Sequence, residues 1–167
     1  TARPALAQTL EEAAQLWKAR RSVSPALGNL RPHRFNEDIV VPRSHLEPAM
    51  REMREIALRY PQFPFAIFGH AGDGNLHPNI PYDANDADAS ARVHEAMSEI
   101  MLACIAAGGT ITGEHGVGLD KLPYMDQLFT AESLSAMCNV RDVFDPDRRA
   151  NPGKVVPVHS CKEWRRG

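Results

Sequence analysis

Apolar residues recur along the chain at two spacings, one of three to four residues and one of two, and the changes between them mark out the elements. Leu10, Ala13, Leu16 and Trp17 form one face of a helix predicted over residues 9–21, and Thr9 and Glu12 have capping-box spacing at its start. Residues 24–37 read as a loop, because Pro25, Gly28 and Pro32 interrupt any helical pattern. Ile39-Val40-Val41 is a short β-type run stopped by Pro42. A second capping-box pair, Ser44 and Glu47, opens a helix with Leu46, Met50, Met53, Ile56 and Ala57 on one side, ending near Tyr60-Pro61. Phe65 to Phe68 reads as a strand and Asn75 to Pro81 as another, weakened by its prolines. Asp86 starts a long helix that turns Val93, Ala96, Met97, Ile100, Met101 and Cys104 inward and stops at Gly108. Thr110-Ile111-Thr112 is β-type. A last helix over 131–143 points Leu134, Met137, Val140 and Val143 inward, and Asp145-Pro146 ends it. Helices alternating with a few short strands predict an α+β fold rather than a doubly wound parallel sheet.

Composition narrows the class. The 167 residues suit one domain, which at this size buries roughly 70% of its unfolded surface. With 43% hydrophobic and 24% charged residues the chain is not disordered, and a net charge of −2 argues against nucleic acid as a partner. No apolar run approaches the roughly 18 residues that span a bilayer. The opening Thr1-Ala2-Arg3-Pro4 has neither an initiator Met nor a signal segment, and reads as a processed chain or a piece of a longer one. Cys104 and Cys138 fall in apolar helical patterns and read as buried free thiols; Cys161 stands apart. The three form no CxxC pair, which favours a reducing compartment.

Chemistry concentrates in two glycine-rich stretches. In Gly69-His70-Ala71-Gly72-Asp73-Gly74-Asn75-Leu76-His77 the Asp-Gly pair predicts a two-residue hairpin turn. That register sets His70 directly opposite His77, with Asn79 on the same face. Gly113-Glu114-His115-Gly116-Val117-Gly118 holds a carboxylate and an imidazole side by side. His70, His77 and Glu114 make a set that suits zinc, or manganese or iron, and leave His115 as a general base. Spacing alone also fits a wet hairpin and an ordinary surface loop. Neither glycine run has the GxGxxG order, and there is no phosphate loop and no HExxH helix. Lys18, Arg20 and Arg21 lie on the polar side of the first helix, where a guanidinium suits a solvated face or a carboxylate ligand.

These two stretches, with Gly108-Gly109-Thr110-Ile111-Thr112, Phe144-Asp145-Pro146, Asn151-Pro152-Gly153-Lys154 and Leu16 to Arg21 followed by Ser24-Pro25-Ala26-Leu27, resemble the C-terminal domain of FAD-linked 2-hydroxyacid oxidases and dehydrogenases. The ending Val158 to Glu163 is most similar to the large flavin subunit of bacterial glycolate oxidase. The resemblance implies a partial ferredoxin-like antiparallel sheet with packed helices, in a single domain over 1–167 that is truncated at its N-terminus. The FAD-binding domain would lie outside the chain, so the fragment alone would be inactive. It further implies His70, His77 and Glu114 as ligands of a divalent metal such as zinc, His115 as catalytic base, Arg20, Ser24 and Asn79 as substrate contacts, and Asn151 near the FAD. The substrate would be glycolate or a small D-2-hydroxy acid. Partners would be the protein's own FAD-binding domain and other oxidase subunits, including an iron–sulfur subunit, in the cytoplasm or peripheral at the inner membrane. Asn36 stands near where the hydroxyglutarate enzymes carry a substrate-binding Lys, which favours a monocarboxylate. A non-catalytic metal-binding or interface module of the same fold is the competing reading.

Overall fold

The computed structural model describes residues 5–157. Thr1 to Pro4, the Val158 to Glu163 ending and Cys161 lie outside the described residues. In chain order the elements are α1 (Leu10–Leu27), β1 (His33–Asn36), β2 (Ile39–Val40), α2 (Leu46–Arg59), β3 (Ala66–His70), β4 (Asn75–Tyr82), α3 (Ala87–Ala106), α4 (Met125–Leu128) and α5 (Ala131–Phe144). The α+β expectation holds: the sheet is small, open and antiparallel, with helices packed on it.

Strand β4 is the hub, although its prolines made it read as the weaker strand. β3 pairs along one edge of it, from Ala66↔Asn79 to His70↔Asn75. On the other edge β1 and β2 follow one another, from His33↔Tyr82 to Asn36↔Asn79 and then at Ile39↔Leu76 and Val40↔Asn75. Pro78 is tolerated because it faces the seam between β1 and β2, where its carbonyl accepts from the Glu37 amide at 3.1 Å. Pro81, three residues on, faces the other edge beyond the end of β3, so neither proline costs a ladder bond.

Alternation along β4 gives the sheet two unlike faces. Leu76 and Ile80, with Phe35 and Ile67, meet Met53 and Ile56 of α2 and Val93, Met97 and Ile100 of α3 in one core. The opposite face carries Asn75, His77 and Asn79. All six positions read as the inward face of α3 are buried; Asp86 caps that helix, and Gly108 follows it at φ +73°.

Five local expectations differ. Helix α1 runs on through Pro25 to Leu27: the proline sits in the last turn, Leu27 is buried, and Arg34 takes the Ser24 carbonyl at 3.1 Å. The predicted apolar face of α1 is not buried, with Leu10 92% and Trp17 62% exposed, though its capping box forms as expected. Ser44 does not cap α2, because a 3-10 turn over Arg43–His45 shifts the helix start by one residue. On α5, Leu134 and Cys138 are buried while Val140 and Val143 are 61% and 76% exposed: only the first turns of the helix reach the core. Cys104 is a buried free thiol, pushed up to about 11 by burial, and is therefore inert. Cys138 is buried but disulfide-bonded, not the free thiol expected.

Ile100 is fully buried in the core and Val140 is largely exposed, so their truncations should separate cleanly. Ile100→Ala is expected to cost about 2–5 kcal/mol. Val140→Ala should stay within about 0.5 kcal/mol of the parent. Urea midpoints at constant m-value measure both.

Candidate functional site

The β3–β4 hairpin brings the two histidines together, but in a different register from the one the Asp-Gly pair suggests. His70 pairs with Asn75, not His77, and Phe68 stands opposite His77. The turn spans residues 71–74, with the Asp73 amide donating to the His70 carbonyl at 3.0 Å. Gly74 explains the longer turn. At φ +74° its carbonyl accepts from the Val41 amide at 3.0 Å, and a Cβ there would meet the Val41 oxygen at 2.1 Å. The slip keeps the strand parity, so His70 and His77 remain on one face as diagonal neighbours. Their rings are 5.5 Å apart and nearly perpendicular.

Asp38 positions the other half of the site. It lies at the β1–β2 seam, is fully buried, and receives the loop that carries Glu114 and His115. Its Oδ2 accepts from the amides of Gly113 at 2.5 Å, Glu114 at 2.6 Å and His115 at 3.2 Å. Thr112 Oγ1 donates to Oδ1 at 3.2 Å and accepts from the Gly116 amide at 2.8 Å. The Lys121 ammonium, itself buried, pairs with Asp38 Oδ1 and reaches Glu37 at 2.9 Å. Burial alone would raise the Asp38 carboxyl. The Lys121 ammonium and the Glu114, Gly113 and His115 amides outweigh it and hold the group well below the usual carboxylate range. Glu37 is raised, by burial first, against the pull of Lys121. Gly113 seats the loop against β4: a Cβ there would lie 2.9 Å from the Asn75 side chain and 2.7 Å from Val40 Cγ2.

Glu114 then meets the histidines. Its Oε1 is 3.1 Å from His77 Nε2, and one donor atom from each of His70, His77 and Glu114 lies within 4.8 Å of the others. Burial lowers the His77 pKa, opposed by Glu114 and reinforced by His115 and His70, which favours the neutral ring that a metal ligand requires. The His77 side chain is 7% exposed and that of Glu114 52%, which leaves the cluster open on the carboxylate side. His115 stacks on His77 at 5.4 Å with 19° between the planes. Its Nδ1 is 3.6 Å from Asp38 Oδ1 and its Nε2 4.0 Å from Glu114 Oε1, so Glu114 and His115 share one side of the loop.

Other expected residues divide. The Arg20 guanidinium stands 4.7 Å above the Phe68 ring, which in turn lies 5.7 Å from that of His77. Asn79 shares the face but is fully buried, donating to the His77 carbonyl at 2.8 Å and leaving its Oδ1 without a partner. The Ser24 hydroxyl is taken up by Arg34 at 2.7 Å, which ties α1 to β1. Asn151 borders a separate cleft of about 800 Å³ with Met137, Val140, Lys154 and Val155. It sits at φ +48° and accepts from Lys154 Nζ at 3.2 Å. Sequence reading missed Asp38, Lys121 and Phe68. An acidic pair directly before Ile39-Val40-Val41 is the one local signal of a buried carboxylate. Nothing local marks Lys121, 83 residues away, as its partner.

The family described as FAD linked oxidases, C-terminal domain, matches residues 1–155. The chain is 45% identical over 156 residues to the glycolate oxidase subunit GlcD of Bacillus subtilis, covering 93% of this chain and 33% of that protein. It is 33% identical over 159 residues to a D-2-hydroxyglutarate dehydrogenase of Xanthomonas citri, covering 93% and 33%. It is also 33% identical over 159 residues to the mitochondrial D-lactate dehydrogenase [cytochrome] of Arabidopsis thaliana, covering 93% and 28%. The chain thus spans about a third of the length of these relatives.

Asp38→Asn keeps the side-chain shape but removes the charge that faces Lys121 and the three amides. It should cost about 3–5 kcal/mol at pH 7. The depressed Asp38 pKa makes its contribution complete above the unfolded value of about 3.9 and lost as pH falls through the folded value. Glu37, being raised, acts in the opposite sense and offsets part of that loss. Urea unfolding at neutral and strongly acidic pH should show a smaller acid-induced loss in Asp38→Asn than in the parent.

Proposed function

This chain belongs to the C-terminal domain family of the FAD-linked oxidases, and from that premise we propose that it is the substrate-binding part of a flavoprotein that oxidises glycolate or another small D-2-hydroxy acid to the 2-oxo acid. The observation that carries the reading is the convergence of His70, His77 and Glu114 within 4.8 Å, beside His115 and one ring away from Arg20. The donor set fits a divalent cation of the zinc class: two imidazoles, one whose burial favours the neutral form, and a carboxylate with an open side. A cation there would act as a Lewis acid toward a hydroxyl beside it.

The remaining work falls to the chain's own residues. His115 accepts the substrate hydroxyl proton, its ring fixed by stacking on His77 and by the Asp38-bound loop. Arg20 binds and orients the carboxylate. Asn36, opposite Asn79 on the His77 face, is uncharged and offers no cation for a second carboxylate, which supports a monocarboxylate substrate. Asn151 and the apolar lining of its cleft suit contact with the edge of a flavin ring. The FAD supplies the two-electron acceptor. Its principal site belongs to a separate FAD-binding domain, in keeping with the length of the relatives. No helix among the described residues is long and apolar enough to cross a membrane. The resemblance to an oxidase subunit supports a cytoplasmic protein, peripheral at the inner membrane through partner subunits that include an iron–sulfur subunit.

Two measurements test the assignment. Zinc titration of the chain should show one site, lost in His70→Ala, His77→Ala and Glu114→Gln; an unchanged site in all three would remove the metal centre. In the flavin-loaded protein that carries this domain, His115→Ala should slow flavin reduction by 2-hydroxy acid about 10²–10⁴-fold with metal content retained. A wild-type rate, or metal loss equal to that of His70→Ala, would refute the role given to His115.

A further inference from the structure

Helix α1 is weakly held. Leu27 is its one buried residue, and Leu10, Leu16 and Trp17 all face outward. Arg20, in the middle of this helix, makes no hydrogen bond or ion pair among the described residues; what it meets is the Phe68 ring, 4.7 Å from the guanidinium carbon to the ring centre. Phe68 stands directly opposite His77 across the β3–β4 ladder, with the two rings 5.7 Å apart and tilted by 49°. The ring thus links Arg20 to His77 of the histidine–carboxylate cluster.

We propose that Phe68 is the positioning residue for Arg20: its ring holds the guanidinium beside the metal cluster while leaving the guanidinium edges free for a substrate carboxylate. The proposal rests on the functional reading above and adds how the carboxylate site is built. A long arginine side chain on a loosely packed helix would otherwise spread over many rotamers. Cation–π stacking restrains it through the flat face of the guanidinium. The N–H donors all lie in the plane of that group, so stacking leaves the bidentate fork unoccupied. An acidic partner would order Arg20 equally well but would fill the fork and oppose a second carboxylate. Phe68 has no acceptor and cannot compete with the substrate. Its place opposite His77 also fixes how far the fork stands from the cluster, which matters for a ligand whose hydroxyl and carboxylate are on neighbouring carbons.

The test uses the flavin-loaded protein that carries this domain, with Phe68→Leu and Phe68→Tyr. Phe68→Leu should raise KM for glycolate or D-lactate about three- to thirty-fold, the range a partly desolvated cation–π contact supplies, with kcat within about twofold of wild type. Phe68→Tyr keeps the ring and should restore KM. Zinc content should be unchanged in both, which shows that the hairpin is intact. The side-chain N–H resonances of Arg20 should move to those of a free arginine in Phe68→Leu and stay in place in Phe68→Tyr. An unchanged KM in Phe68→Leu, an equal rise in both variants, or Arg20 resonances indifferent to the ring overturns the proposal. If the wild-type protein oxidises no 2-hydroxy acid, it is the proposed function that fails, and the platform then stands or falls on the Arg20 resonances alone.

Discussion

Asp38 is fully buried, and a carboxylate without water or partners would be driven to its neutral form. Here three loop amides, the Thr112 hydroxyl and the Lys121 ammonium take over the role of its hydration shell. The bonds are reciprocal in effect. The carboxylate is kept charged, and the backbone from Gly113 to His115 is pinned at the sheet edge. Glu114 and His115 therefore arrive at the cluster on a backbone that is already fixed, which spares the ordering cost that a free loop would bring to ligand binding. Lys121 is as buried as the groups it joins, so its loss would leave two carboxylates in the interior without a counter-ion.

The seam that admits Asp38 exists because of Pro78. A continuous partner strand along that edge of β4 would need an amide at Pro78, which has none. The edge is instead shared by two short strands, and the chain between them turns Glu37 and Asp38 inward toward Lys121. A residue that weakens β4 as a strand thus creates the place where the loop carrying Glu114 and His115 is tied down. The same strand separates the two duties of the sheet. Leu76 and Ile80 supply the core, while Asn75, His77 and Asn79 are held under cover on the opposite face. Three of their polar atoms, Asn75 Oδ1, His77 Nδ1 and Asn79 Oδ1, have no protein partner. Such a face is costly to bury without function and is consistent with one prepared to meet a polar ligand.

Much of this was legible along the chain. The six inward residues of α3, the capping box at Thr9 and the strand propensity of Ile39-Val40 are local properties, set by periods of 3.6 and 2 and by hydrogen bonds that span a few residues. The two glycine-rich stretches offered His70, His77, Glu114 and His115 as one group, and the structure brings them together, although their spacing alone also fits a wet hairpin and a surface loop. A slip of two residues in the hairpin did not disturb that reading, since parity, not exact register, decides which face a strand residue occupies.

What the chain could not announce is anything decided by two distant segments meeting. The outward face of the first helix reads as amphipathic, yet whether Leu10 and Trp17 are covered depends on what packs there, and no pattern within the helix carries that information. Arg34 carries α1 past Pro25 through a bond to Ser24 ten residues away, a gain that propensity at Pro25 cannot show. Asp38 and Lys121 look like ordinary surface charges in isolation, and it is the closure of the sheet over them, 83 residues apart, that makes them an interior pair. The sequence by itself determined which side chains could do chemistry, because ligand type and strand parity are local. Only the tertiary structure decided which of them meet and what holds them there, because burial and pairing are properties of the space between segments.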